Sequence, residues 1–227
     1  MIGSMKDAGR VIVPELLDDS DPAAAVDSLR DLVKINRYLG GYSTLRWLIA
    51  QVTAPGEAVS VLDVGAASGD MGARIVSFRP RAEVTFFDYR ASHLRAASGP
   101  KVVGDAFQMP FAARSFDFVF SSLFLHHFDD AAVAGLLASF SRIARRAVLA
   151  IDLERGPLGT RFIPATRWLF RWDPITMHDA PVSVRAAFKK DELHGLAERA
   201  GLQGARVRMH RPWSRLSLIA PATMGSV

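Results

Sequence analysis

Val61-Leu62-Asp63-Val64-Gly65-Ala66-Ala67-Ser68-Gly69-Asp70 joins an apolar strand to a helix through a glycine-containing turn. The strand reads from Val59 to Val64, and the helix from Ser68 to Phe78, closed by Pro80. Gly65 and Gly69 permit a tight turn and close backbone approach to a ligand, while the helix start offers free N–H groups to an anion.

Outward from that stretch the chain alternates short strands and helices. Glu83 to Phe87 reads as a second strand, followed by a short helix around Ala91 to Ala97, and Lys101 to Val103 as a third. Ser115 to Ser121 is a fourth, with a helix from about Asp129 to Ile143, and Arg146 to Asp152 a fifth. Continuous apolar strands between helices predict a parallel sheet covered on both faces. Lys189 to Ala200 is helical and stops at Gly201. Two β-like runs follow, Ala205 to His210 and Arg215 to Ile219, with only Arg211-Pro212-Trp213-Ser214 between them. So short a link joins antiparallel strands, and the sheet is expected to end with one reversed strand. Ahead of the first strand, Asp21 to about Val52 is helical, with Asp21-Pro22 as a start signal and Gly40-Gly41 splitting it in two. The expected division is residues 1–56 as an N-terminal helical lid and 57–227 as the ligand-binding domain.

Composition narrows the class. The 227 residues are enough for one well-buried core, and 49% are hydrophobic. No apolar run approaches the roughly 20 residues that span a bilayer. Met1 to Lys6 is not followed by a secretory apolar stretch, and there is no cysteine for disulfides or thiolate metal sites. A cytoplasmic protein without a membrane span is expected. The net charge of +5, from 28 basic and 23 acidic residues, is not by itself a nucleic-acid footprint. Arg142, Arg145, Arg146, Arg155, Arg161, Arg167 and Arg171 face only Asp152 and Glu154, which reads as an ordinary solvated surface.

A dinucleotide-binding G-x-G-x-x-G from Gly65 would need glycines at 67 and 70, where Ala67 and Asp70 stand. The stretch instead resembles the first motif of class I S-adenosylmethionine-dependent methyltransferases, Asp/Glu-x-Gly-x-Gly-x-Gly. Asp63, Gly65 and Gly69 match it, with Ala66 between them and Ala67 in place of the middle glycine. The resemblance continues in order. Asp88, followed by Tyr89, stands where the family's acidic residue holds the ribose hydroxyls, a role suited to a carboxylate's two acceptors. Gly104-Asp105-Ala106-Phe107-Gln108-Met109-Pro110-Phe111 is similar to the family's Gly-Asp-Ala-x-x-Leu-Pro-Phe, which holds adenine. Phe116 to Ser122 resembles the fourth strand, ending at Ser121-Ser122 beside the transferable methyl. Over residues 59 to 220 this implies an α/β fold: a seven-stranded, mostly parallel Rossmann-like sheet with a reversed last strand. It implies S-adenosylmethionine as cofactor.

Because a sulfonium methyl is already activated, positioning the acceptor is the protein's main task. A hydroxyl acceptor gains from a base near neutrality, which histidine can be. His126 and His127 follow the fourth strand directly; one of them as base or substrate contact stands beside the plainer reading of packing or helix capping. A metal site is not expected, since adjacent residues point in different directions. His178, next to Asp179, is another candidate base, or else Asp179 is a turn residue before Pro181 and Ser183 an N-cap. Asn36, Arg37, Tyr38 and Tyr42 form either a substrate wall or a plain cover. Trp168, Phe170 and Trp172 either line an aromatic pocket or form the apolar side of an interfacial helix. The Pro14 to Asp18, Ile35 to Arg37, Gly40-Gly41 and His178 to Val184 elements resemble bacterial small methyltransferases of polyketide or quinone-type phenols. The expected activity is methyl transfer to a hydroxyl of such a small-molecule acceptor. The Asn/Asp-Pro-Pro-Tyr/Phe tetrad of base methylation is replaced by Ser121-Ser122-Leu123-Phe124, which argues against a nucleic-acid partner. A non-catalytic cofactor-binding scaffold is the remaining alternative, and the oligomeric state is open.

Overall fold

Along the first strand Val59 and Val61 face one side of the sheet while Leu62 and Val64 face the other, and all four are buried. A strand apolar on both faces needs cover on both. The computed structural model describes residues 9–222, without the side chains of 158–160, and shows that cover. The outer ends of the expected division, 1–8 and 223–227, lie outside the described residues.

The chain begins with α1 (Leu16–Asp19), α2 (Ala25–Tyr38) and α3 (Gly41–Val52). Then come β1 (Val59–Val64), α4 (Asp70–Phe78), β2 (Ala82–Asp88), β3 (Lys101–Val103) and β4 (Phe116–Ser122). The second half runs α5 (Asp130–Ile143), β5 (Ala144–Leu153), α6 (Pro157–Ala165), α7 (Arg167–Phe170), α8 (Pro174–Ala186), α9 (Lys190–Arg199), β6 (Arg206–His210) and β7 (Arg215–Pro221). Single 3-10 turns lie at His93–Ala96, Ala106–Gln108 and Leu125–His127. The seven strands form one sheet in the order β3-β2-β1-β4-β5-β7-β6. Pairing is parallel from β3 to β5, and β7 runs antiparallel to both its neighbours. The seven strands and the single reversal agree with the sequence reading.

Leu136 and Phe140 of α5 and Leu193 and Leu196 of α9 pack against Leu62, Val64 and Val119. On the other face, Leu45, Leu48 and Ile49 of α3 and Ile75 of α4 meet Val61, Val84 and Phe120. Among the described residues no helix is long and apolar enough to cross a membrane.

Most boundaries shift by a residue or two, and four differences have a visible cause or consequence. α2 begins at Ala25, because Asp21 closes a turn onto Ala23 N–H (2.8 Å) rather than starting the helix. α4 begins at Asp70 rather than Ser68, since Gly69 takes a left-handed φ of +74°. β5 starts at Ala144, running on directly from α5. The largest change is α8, which continues through Asp179-Ala180-Pro181 where a turn was an open reading. Pro181 removes one helical donor. Ser183 is no N-cap: its hydroxyl donates to Asp179 O (3.0 Å), and the Asp179 carboxylate accepts from Leu16 and Leu17 N–H (2.9 and 3.0 Å). These tertiary bonds fix the segment as helix.

Candidate active site

Register brings the strand ends together. Val64 at the end of β1 pairs with Phe87 of β2 and with Ser121 of β4. In open α/β sheets ligands bind beyond this carboxyl edge, and here a cavity of about 860 Å³ opens there. That is toward the upper end of the roughly 300–1,000 Å³ of small-molecule pockets.

The turn after β1 wraps this edge tightly. Gly65 and Ala66 N–H both donate to Phe87 O (2.9 and 3.1 Å), and Ala67 N–H donates to Asp88 Oδ2 (2.9 Å). Gly65 has φ +68°, and a Cβ there would overlap the Phe124 ring. Gly69 sits instead against Ala97, 2.6 Å from where its Cβ would fall, so it serves helix entry. Ala67 itself lies in the left-handed region (φ +47°). An alanine there costs roughly 1–2 kcal/mol, part of which glycine returns as unfolded-chain entropy. Ala67→Gly is therefore expected to stabilise by roughly 0.5–1 kcal/mol, read as a higher melting temperature with cofactor affinity retained. A lower melting temperature would contradict the strained turn.

Most of the expected cofactor residues line the cavity: Asp63, Gly65, Ala66, Ala67, Asp88, Tyr89, Asp105, Ala106, Phe107 and Ser122. Gly69 and Ser121 do not. Asp88 Oδ1 accepts from Arg90 N–H (2.9 Å) while His93 Nδ1 stands 3.4 Å away, so the carboxylate is held rigid with lone pairs left for hydroxyls. Asp105 Oδ1 accepts from Phe107 N–H (2.9 Å) and caps the 3-10 turn.

His126 and His127 line the cavity as well, on the 3-10 turn after β4. His126 is 2% exposed, with Nδ1 2.6 Å from Asp152 Oδ1 and Nε2 3.4 Å from Glu15 Oε1. His127 Nδ1 lies 3.1 Å from Asp18 Oδ2 and its Nε2 3.8 Å from Glu15 Oε2. The expectation that the adjacent rings diverge is thereby corrected: they lie 4.6 Å apart and both turn Nε2 toward Glu15, whose carboxylate reaches between them from the N-terminal segment. Neither caps the next helix; Asp129 does, accepting from Ala132 N–H (2.8 Å). His178 is outside the cavity, half-exposed and 2.8 Å from Asp179, whose carboxylate lies on the lining.

Glu15 is placed by the segment before α1. Arg10 anchors it through Ala186 O (2.7 Å), Phe128 O (2.9 Å) and Asp130 (2.6 Å), and Ser183 Oγ donates to Glu15. Burial opposes ionisation of Glu15, yet His126 and His127 lower its pKa to about 2. Burial also works against a charged His126, but Asp152 and Glu15 outweigh it and raise the ring to about 10.

Part of the lining is apolar: Leu17, Leu32, Ile35, Leu39, Phe124 and Phe128. Asn36 is part of it, whereas Arg37 and Tyr38 are exposed and Tyr42 lies outside the lining. Trp168, Phe170 and Trp172 are not in this wall. Trp168 is exposed, and Trp172 stacks on Phe170 at 4.8 Å; Trp168 and Trp172 border a separate depression.

Several buried polar atoms at this edge have no hydrogen-bond partner: Asn36 Oδ1, Asp63 Oδ2, Ser121 Oγ, Ser122 Oγ and Arg215 Nη1. Burial, with Asp70 and then Asp88 nearby, raises the Asp63 pKa well above its ordinary value. Arg215, which sequence reasoning passed over, is 1% exposed and lowered to about 10 by burial. Unsatisfied buried groups are uncommon in folded proteins and call for a partner. A zwitterionic nucleoside would answer this set with an ammonium for Asp63 and a carboxylate for Arg215, while Asp88 beside them has lone pairs for ribose hydroxyls. The residues present fit S-adenosylmethionine.

Residues 61–147 match the family model described as a methyltransferase domain. A ubiquinone/menaquinone biosynthesis C-methyltransferase, UbiE of Desulfotalea psychrophila, is 30% identical over 135 residues, 56% of this chain. The chain spans about half (54%) of that relative's length. Among solved structures, the plantazolicin methyltransferase BamL, in complex with a desmethyl analogue and S-adenosylhomocysteine, is similar with a TM-score of 0.67 at 13% identity, over 92% of this chain and 94% of that one. A SAM-dependent methyltransferase from Aquifex aeolicus has a TM-score of 0.61 at 14% identity, over 90% of this chain and 100% of that one. Identities this low speak for the fold alone. Residues 61–147 are thus similar to a methyltransferase domain, within a fold shared with SAM-dependent methyltransferases, and S-adenosylmethionine is the cofactor this likeness supports.

Proposed function

We propose that the protein transfers a methyl group from S-adenosylmethionine to a hydroxyl of a small aromatic acceptor of polyketide or quinone type. The observation that carries this reading is the cavity at the carboxyl edge of β1, β2 and β4, whose lining combines Asp63, Asp88 and the 105–107 turn with an apolar wall and with Glu15, His126 and His127. When bound, S-adenosylmethionine supplies a methyl activated by its sulfonium, so the chain's work is alignment and exclusion of water. Asp88 would hold the ribose, Ala106 and Phe107 of the 3-10 turn would hold adenine, and Ser122 would serve the methionine end. The apolar wall takes the acceptor ring and turns its hydroxyl toward His126 and His127. His178 is left out of this assignment because its side chain lies outside the lining.

The segment up to residue 56 acts as the lid over the domain that follows. Arg10, Leu16 and Leu17 tie it to α8 and to the turn after His127. The reading includes a cytoplasmic protein with a small-molecule partner, not a nucleic acid.

A methyl-transfer screen over phenols, catechols, hydroxyquinones and a short RNA tests it, with products resolved by mass spectrometry and NMR. An O-methylated phenol or quinol is expected. A product methylated on ring carbon, the reaction named for the UbiE relative, would overturn the oxygen assignment; methylated RNA would overturn the acceptor class.

A further inference from the structure

We infer that Glu15, His126 and His127 form a binding site for a divalent transition-metal ion of the zinc type, with a fourth position open to the cavity. The ion site stands on geometry alone, whereas its role, holding the acceptor's oxygen, rests on the methyl-transfer reading above.

The separations make the case. Nε2 of His126 and of His127 lie 3.4 and 3.8 Å from the two oxygens of the same Glu15 carboxylate. One ligand atom from each residue falls within a group no more than 4.8 Å across. Nitrogen and oxygen ligands about 2.0–2.2 Å from a tetrahedral zinc stand roughly 3.3–3.5 Å from one another, a spacing that His126 and Glu15 already have and that His127 reaches by a small inward turn of its ring. A charge-assisted hydrogen bond would instead close to about 2.7–2.9 Å, as Arg10–Asp130 (2.6 Å) and Arg155–Glu192 (2.7 Å) do elsewhere in the chain. Accordingly His126 Nε2 is buried, aimed at the cluster and without a hydrogen-bond partner.

The surrounding shell has the form that orients metal-binding imidazoles. Each ring has its Nδ1 on a carboxylate: Asp152 for His126 at 2.6 Å, Asp18 for His127 at 3.1 Å. Such a partner keeps hydrogen on Nδ1 and leaves Nε2 as the ring nitrogen turned toward the metal position. Three carboxylates, Glu15, Asp18 and Asp152, thus converge on two imidazoles, a negatively charged cluster that a dication would largely neutralise. Two imidazoles and one carboxylate suit zinc or a neighbouring first-row ion more than magnesium or calcium, which prefer all-oxygen shells. Glu15, His126 and His127 all border the cavity, so the remaining position faces the place where an acceptor hydroxyl would arrive.

The test uses the full-length protein stripped with a chelator, then titrated with Zn²⁺ or Co²⁺, with metal content measured by elemental analysis. One ion per chain is expected, and Co²⁺ should give the intense visible absorption of a four-coordinate site. Glu15→Gln and His127→Ala should each weaken binding at least about 100-fold, and Asp18→Asn about 10-fold. His178→Ala should leave it unchanged. Because replacing buried His126 risks the fold, the variants at the less buried Glu15, His127 and Asp18 carry the test, and retained S-adenosylhomocysteine binding shows them folded. Absence of stoichiometric binding, or binding indifferent to Glu15→Gln and His127→Ala, would overturn the site. A chain that takes the ion but no nucleoside keeps the site and overturns the methyl-transfer reading; one that takes the nucleoside but no ion does the reverse.

Discussion

Asp88→Ala is expected to weaken S-adenosylhomocysteine binding by roughly 2–4 kcal/mol, about 30-fold to 1,000-fold, since two hydrogen bonds to a charged group are lost. Part of the loss comes from the turn itself. Asp88 Oδ2 holds Ala67 N–H and Oδ1 holds Arg90 N–H, both at 2.9 Å, so removing the carboxylate also frees the loop that cradles the ligand. Asp88→Asn keeps one acceptor and should fall between wild type and the alanine variant. Calorimetric titration of the three proteins measures this. Unchanged affinity in Asp88→Ala would mean that the ribose is bound elsewhere.

Asp63→Asn should separate stability from function. The Asp63 carboxyl is buried with Asp70 and Asp88 close by, and its pKa is raised well above the unfolded value. The sign follows from linkage: a carboxyl that holds its proton more tightly when folded costs nothing below the unfolded pKa. The cost grows as pH rises above the unfolded pKa and is complete at the folded pKa, above which the buried charge has formed. Removing that charge should therefore stabilise the cofactor-free protein at neutral pH by roughly 1–3 kcal/mol, or about 2–4 °C of melting temperature per kcal/mol. The gain should vanish toward acid pH. The same substitution takes away the negative partner of the methionine ammonium, so the melting shift on adding S-adenosylmethionine should shrink. An Asp63→Asn variant that is less stable at neutral pH, yet binds cofactor as before, would contradict both halves.

The contrast between these aspartates and the acceptor end shows what one sequence carries. Asp63, Gly65 and Asp88 were legible because a strand, a turn and a helix entry are local events with local signals: period-two burial, a left-handed glycine, a carboxylate at a strand end. Gly69 was legible as a turn residue, but whether it touches ligand or neighbouring helix depends on Ala97, which spacing does not reveal. The acceptor end is different. His127 meets Asp18 across 109 residues, and Leu17 meets Asp179 across 162. Nothing local in Pro14 to Asp18 announces a cavity wall. Asp152 could have been found from its place at the end of the fifth strand, beside the ligand edge. Arg215 sits in a strand read only for its apolar neighbours. Pro181 suggested a turn, and it took tertiary bonds from the N-terminal segment to make that stretch helical.

All of this depends on a nucleoside with a methionine tail occupying the crevice that Gly65, Asp63 and Asp88 border. Titration of the full-length protein with S-adenosylmethionine and with S-adenosylhomocysteine in a calorimeter addresses it most directly. One ligand per chain should bind, with the heat lost in Asp88→Ala. If neither compound bound to folded wild-type protein, the crevice would serve another ligand and the assignment would fail.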